Sequence, residues 1–203
     1  MRFSIRIYCS LAAALALILV YASAGCARRE AAFSFPLEKE SRWVYSGIYT
    51  SQVASTAIRL PVTNHTVAVE GEESIGGATY LKTAVSMEGS VFSRLLLRKA
   101  GGKIFCRDGE SEGLLFTETL KIGEKWDVAI LGRTLGLHAK KVEEVKVPAG
   151  TYQALLISFK DRDRLEGNLW CADKVGIVAI EFKETETKPI RTVRLELKEF
   201  GKN

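Results

Sequence analysis

Histidine is scarce in this chain: His65 and His138 are the only two in 203 residues, and neither has the spacing of a zinc site or of a nucleophile pair. There is no G-x-S-x-G elbow, no phosphate-binding loop, no G-x-G-x-x-G opening a helix and no C-x-x-C. Common hydrolases and oxidoreductases therefore lack their residues here, and no cofactor or metal is implied. Asp161-Arg162-Asp163-Arg164 could offer oxygens to a divalent cation, but the flanking arginines read better as a charged hairpin tip. Glu184 and Glu186 sit among Lys183, Thr185, Thr187 and Lys188 and read as a solvated approach to Pro189. Blocks of like charge are also missing. The formal charge of +5 falls to +3 without Arg2 and Arg6, and the remaining Lys and Arg are interspersed with Asp and Glu. That excludes a nucleic-acid stripe.

What is present begins at the amino terminus. Arg2 and Arg6 precede an uncharged apolar run over 7–21, and Ala22, Ser23, Ala24 and Gly25 lead to Cys26. This is the three-part layout of a secretory signal, in which small residues expose an extended backbone to a peptidase. Ser23-Ala24-Gly25-Cys26 resembles the lipobox of bacterial lipoproteins, whose cysteine carries diacylglycerol and becomes the new terminus. Ser23 stands where that motif usually has leucine. Ala22-Ser23-Ala24 also satisfies the A-x-A rule with cleavage before Gly25, and a retained membrane helix is a third reading, since 7–27 is uncharged over about twenty residues. The expected organisation is a signal peptide over 1–25, a lipidated Cys26 with a tether to residue 34, and one domain over 35–203.

Cysteine arithmetic supports lipidation, because losing Cys9 with the leader and modifying Cys26 leaves an even pair, Cys106 and Cys171. In an oxidising compartment these could form a disulfide, adding roughly 4 kcal/mol by the chain-entropy model. The alternative is two separate buried thiols.

Within the domain the apolar period is two. Val193, Leu195 and Leu197 alternate with Arg194, Glu196 and Lys198, and Val67 and Val69 alternate with Thr66, Ala68 and Glu70. Similar runs recur to about ten strands. Gly76-Gly77, Gly101-Gly102, Asp108-Gly109, Pro148-Ala149-Gly150 and Asp173-Lys174 supply hairpin chemistry between them. No amphipathic helix of ten residues occurs, although 51–60 could hold a short one. The expected fold is mainly β: a single curled antiparallel sheet closing into a half-barrel, barrel or sandwich after the signal segment. Strand parity places His65 on the buried face and His138 facing water. Leu37 to Trp43 and Leu120 to Trp126 share their spacing of leucine and tryptophan, a faint echo between two halves.

Three stretches look familiar together: Pro36-Leu37 with Trp43-Val44-Tyr45, then Val145 through Tyr152, then Trp170 with Val175-Gly176-Ile177-Val178. They resemble motifs of uncharacterised bacterial envelope lipoproteins, with Glu40 standing where the pattern has the glycine that Gly123 supplies in the second copy. Such proteins look similar in strand-rich layout to the lipoprotein carriers and receptors of outer-membrane sorting, whose half-barrels enclose an acyl-chain pocket. The motif residues have a complete structural reading: Trp43, Trp126 and Trp170 as core aromatics, Pro148, Gly150 and Gly176 as turn formers. The anchor, the curled sheet and the missing catalytic groups together point to a lipid-anchored, non-enzymatic envelope protein that binds an apolar ligand or a partner protein. Ala27, not aspartate, follows Cys26, which points to the outer membrane, facing the periplasm, in a cell with two membranes. The rival expectations are an assembly subunit whose interior is filled by its own side chains, and a hydrolase using acidic residues that spacing does not reveal.

Overall fold

A computed structural model describes residues 30–202 except 54, 131–132, 163 and 185–188; Cys26, the leader and residues 27–29 of the expected tether lie outside the described residues. Fourteen strands account for nearly all of the rest. They are β1 (Glu30–Ala32), β2 (Ser41–Val53), β3 (Thr56–Ile75), β4 (Ala78–Met87), β5 (Ser90–Ala100), β6 (Lys103–Asp108), β7 (Ser111–Thr117), β8 (Thr119–Lys121), β9 (Lys125–Ile130), β10 (Arg133–Val147), β11 (Gly150–Asp161), β12 (Leu165–Ala172), β13 (Gly176–Glu184) and β14 (Ile190–Lys202). Twelve form one antiparallel sheet in the order β7-β6-β5-β4-β3-β2-β14-β13-β12-β11-β10-β9, while β1 pairs with β8. The sheet curls until its two edge strands, β7 and β9, lie side by side, giving a nearly closed barrel.

The hairpins form where the local chemistry demands them. Gly76-Gly77 and Gly101-Gly102 both adopt positive φ, the requirement of the two-residue turns whose twist matches flanking strands. Glu88-Gly89, with φ of 49° and 79°, forms one more such turn that the sequence does not announce, because glutamate is a poor herald of a left-handed position. No helix forms over 51–60 among the described residues. Those residues pair across a hairpin, Ser51 with Ile58 and Val53 with Thr56, and their β-branched side chains suit a pleated strand better than a helix.

The echo of leucine and tryptophan is structural. Strands β1–β7 and β8–β14 repeat one plan, a short strand, a tight turn and a six-stranded meander. Ser41 N–H donates to the Glu38 carbonyl (3.2 Å), as Glu124 N–H does to that of Lys121 (2.8 Å). The left-handed position of the second turn is Gly123 (φ 90°); in the first it is Glu40 (φ 69°). Leu37 and Leu120 are both buried behind these turns, and β1 meets β8 with Ala31 opposite Leu120.

Side chains facing inward are apolar. Val193, Leu195 and Leu197 lie on the inward face as expected, with Leu197 fully buried. Outward faces are charged: Arg194 donates to Glu181 at 2.8 Å and to Glu196 at 2.9 Å. No helix among the described residues is long and apolar enough to cross a membrane, and these outward charges occupy the place where a membrane-spanning barrel carries its apolar band. One end of the barrel is closed by the segment entering β2. Phe33 packs edge-on against Phe116 at 6.2 Å. The β12–β13 turn clasps Ser34, whose N–H donates to Asp173 Oδ1 (2.7 Å) and whose carbonyl accepts from Lys174 N–H (2.8 Å).

Cys106 and Cys171 are two buried thiols, with no disulfide between them. They lie on β6 and β12, which are far apart in the sheet order, and a disulfide needs Cα atoms within about 7 Å. Of the two arrangements left open by the sequence, the barrel holds the two separate thiols. Burial in this apolar setting pushes the Cys171 thiol up to about 12.

Candidate functional site

Two concavities bear on function. The larger, about 930 Å³, is a shallow groove on the outward face of the second half. Lys125, Asp127, His138, Lys160, Glu166 and Lys183 line it with both signs of charge. It offers a solvated, mixed surface with no convergent set of groups.

The smaller is the interior of the barrel, about 390 Å³, within the range of small-molecule sites. Both halves build it. Strands β3–β7 contribute Val67, Leu95, Leu97 and Ile104, strands β9–β13 contribute Val128, Leu135, Phe159 and Leu169, and Phe35 and Leu37 bound it at the closed end. Every lining side chain is apolar or aromatic except Thr83. Thr83 is almost fully buried and its Oγ1 has no hydrogen-bond partner among the described residues. Period-two alternation makes this surface: strands that are apolar on one face enclose apolar space once the sheet closes.

The tryptophans divide between roles. Trp43 lies in the wall, stacked on Phe200 at 5.4 Å and tilted against Phe35 at 5.6 Å, with its indole N–H donating to the Val175 carbonyl (2.6 Å). Trp126 spans the gap between the edge strands, donating to the Leu115 carbonyl (3.1 Å). Trp170 departs from the expected core position. Its indole N–H donates to Glu143 (2.8 Å) and Arg194 lies over its ring, so it is half-buried on the outward face. Leu195 and Leu197 pack into the wall; neither lines the cavity.

At the far end from Phe35 two neighbouring hairpins of the rim are apolar and exposed. Val53, Ile58 and Leu60 on the β2–β3 hairpin and Met87 and Phe92 on the β4–β5 hairpin all show about half or more of their surface. His65 lies just inside, between the rings of Tyr45 and Phe92, and desolvation holds its pKa below the usual histidine value. The Tyr45 hydroxyl donates to the Ile177 carbonyl (2.9 Å), and burial raises its pKa far above the usual range. His138, facing outward as its parity indicates, lines the outer groove.

The acidic residues do not gather. Asp161 is paired with Arg133 at 3.7 Å and Glu184 with Arg191 at 3.6 Å, while Asp163 and Glu186 fall outside the described residues. Among the described residues no three His, Cys, Asp or Glu side chains come together as a metal would require.

No protein-family model matches this chain, and no curated protein does. Two solved structures are similar in fold. One is a protein of Bacteroides fragilis described as exported, with a YmcC-like fold; the other is a protein of Parabacteroides distasonis described as a lipoprotein. Each is 13% identical, covering 85% of this chain and 100% of its own, at a TM-score of 0.46.

Proposed function

We propose that this chain is an exported protein, anchored to a membrane by lipid on Cys26, whose barrel holds an apolar chain without transforming it. The observation that carries the reading is the interior cavity with its almost wholly apolar wall. A dry apolar space of this size gains little from water, and each methylene taken up contributes about 0.8 kcal/mol. Ten buried methylenes would give about 8 kcal/mol before the costs of binding, so the upper bound on affinity is near micromolar.

The anchor rests on Ser23-Ala24-Gly25-Cys26. Cys26 is four residue steps from Glu30, a reach of at most about 14 Å. β1 lies at the closed end of the barrel, beside Phe33, so the anchor would hold that end to the membrane. The exposed rim of Ile58, Leu60 and Phe92 would then point away from it, toward whatever delivers or receives the ligand. In a cell with two membranes the site of attachment would be the outer one, facing the periplasm.

Titration of the full-length protein with a fluorescent fatty acid should give saturable binding, and Leu165→Trp, which fills the cavity from a partly buried position on its wall, should weaken it at least tenfold. Absence of binding in folded protein would transfer the role to an assembly subunit acting through its surface. Metabolic labelling with palmitate should mark the wild type and not Cys26→Ser; a mature terminus at Gly25 would remove the anchor from the proposal.

A further inference from the structure

Thr83 is 1% exposed, sits on the inward face of β4 between Val69 and Leu95, and carries the one hydroxyl on the cavity wall. Its Oγ1 meets no partner among the described residues. Valine would fill the same volume, suit the strand equally and avoid the cost of a buried hydroxyl left unpaired. What threonine adds at this position is a single neutral group that both donates and accepts.

The lining around it contains no charged side chain, so an ionised headgroup would be buried without compensation there. Along the wall Thr83 has apolar neighbours on both flanking strands, Val69 and Leu95 opposite it and Val67 and Leu97 diagonal to it. An oxygen reaching it must therefore lie between apolar stretches of the ligand and be uncharged. We propose that the ligand is an acyl chain with an oxygen function within its length, a hydroxyl or a carbonyl, and that Thr83 is the residue that selects it. This inference rests on the interior being a ligand cavity.

The test is displacement of a fluorescent fatty acid from full-length protein by hexadecanoic acid, by hydroxyhexadecanoic acids with the hydroxyl at successive positions, and by the matching keto acids. The best-placed oxygen should bind about tenfold tighter than the plain chain, the factor that one good hydrogen bond supplies. Thr83→Val should abolish that preference and raise the Tm of the empty protein; Thr83→Ser, which keeps the hydroxyl, should keep the preference. Hydroxyl against keto potency tells which function the site takes. If no chain of any kind binds, the cavity reading falls and this inference with it. If plain chains bind but oxygen at no position helps, if the preference survives Thr83→Val, or if Thr83→Val lowers the Tm, the cavity reading stands and the selector role is overturned.

Discussion

The two halves of the sheet meet twice, and the junctions differ. Because each half is a short strand followed by six meandering strands, a two-fold relation makes β2 against β14 the counterpart of β9 against β7. At the first junction a full ladder runs from Ile190 opposite Gln52 to Lys202 opposite Ser41. At the second the strands lie together without a ladder, and the Trp126 indole bonded to the Leu115 carbonyl links them. A glycine sits at each. A Cβ on Gly47 would lie 1.9 Å from the Arg194 carbonyl oxygen, whereas one on Gly113 would lie 3.3 Å from that of Ala129. Closure by backbone ladder leaves no room, while closure by side chain would admit a Cβ once the neighbouring strand gives by a few tenths of an ångström. One seam is therefore a permanent part of the wall, and the other is the place where the barrel can give.

The largest expected contrast follows from those distances. Gly47→Ala should cost about 3 kcal/mol or more, because its clash is with backbone that the ladder holds, while Gly113→Ala should cost under about 1 kcal/mol. Urea denaturation of both variants measures the difference, and equal losses would dissolve the distinction between the seams.

A covalent lock sharpens it further. A Cβ built on Gly113 stands 4.0 Å from that of Ala129, within disulfide range, so Gly113→Cys with Ala129→Cys should bond and add about 3 kcal/mol by the entropy of a loop this long. Cys106 is the cross-strand partner of Gly113, so the pair belongs in a Cys106→Ala background. If the seam is the route by which ligand exchanges, oxidation should slow fatty-acid release; unchanged release would place the route at the rim.

Trp126→Phe removes one hydrogen bond and should cost about 1 kcal/mol. Amide exchange should quicken in β7 and β9 while β2 and β14 keep their protection. Uniform acceleration would mean that both junctions share one cooperative unit.

The smallest effect concerns acid. His65 lies opposite Tyr45 beside the laddered junction, and desolvation depresses its folded pKa. The stability it contributes is therefore present above the unfolded value near 6.5 and is lost as pH falls through the lower folded value. The Tm of wild type should drop between about pH 7 and 5 more than that of His65→Phe, and parallel profiles would remove His65 as the cause.

Much of the fold was legible because it is local. Alternation at Val193, Leu195 and Leu197 and turn chemistry at Gly76-Gly77 and Gly101-Gly102 act over a few residues, so an antiparallel, curled sheet with an apolar inner face could be read directly. The paired spacing of Leu37 and Trp43 with Leu120 and Trp126 even marked the start of each half. Errors came where side chain and backbone preference part, as at Glu88-Gly89 and over 51–60.

The site was not legible in the same way. Period two states which residues face inward but not whether facing residues meet or leave space between them, since that depends on strand number and tilt and on how a dozen side chains from separate strands interdigitate. The sequence by itself determined most of the strands and their inward faces. Only the tertiary structure decided that Leu195 and Leu197 pack into the wall while Thr83 faces an apolar cavity, that Cys106 and Cys171 stay apart, and that one junction closes by backbone and the other by Trp126. Each of those depends on the distance between strands remote in the chain, and no local pattern encodes that distance.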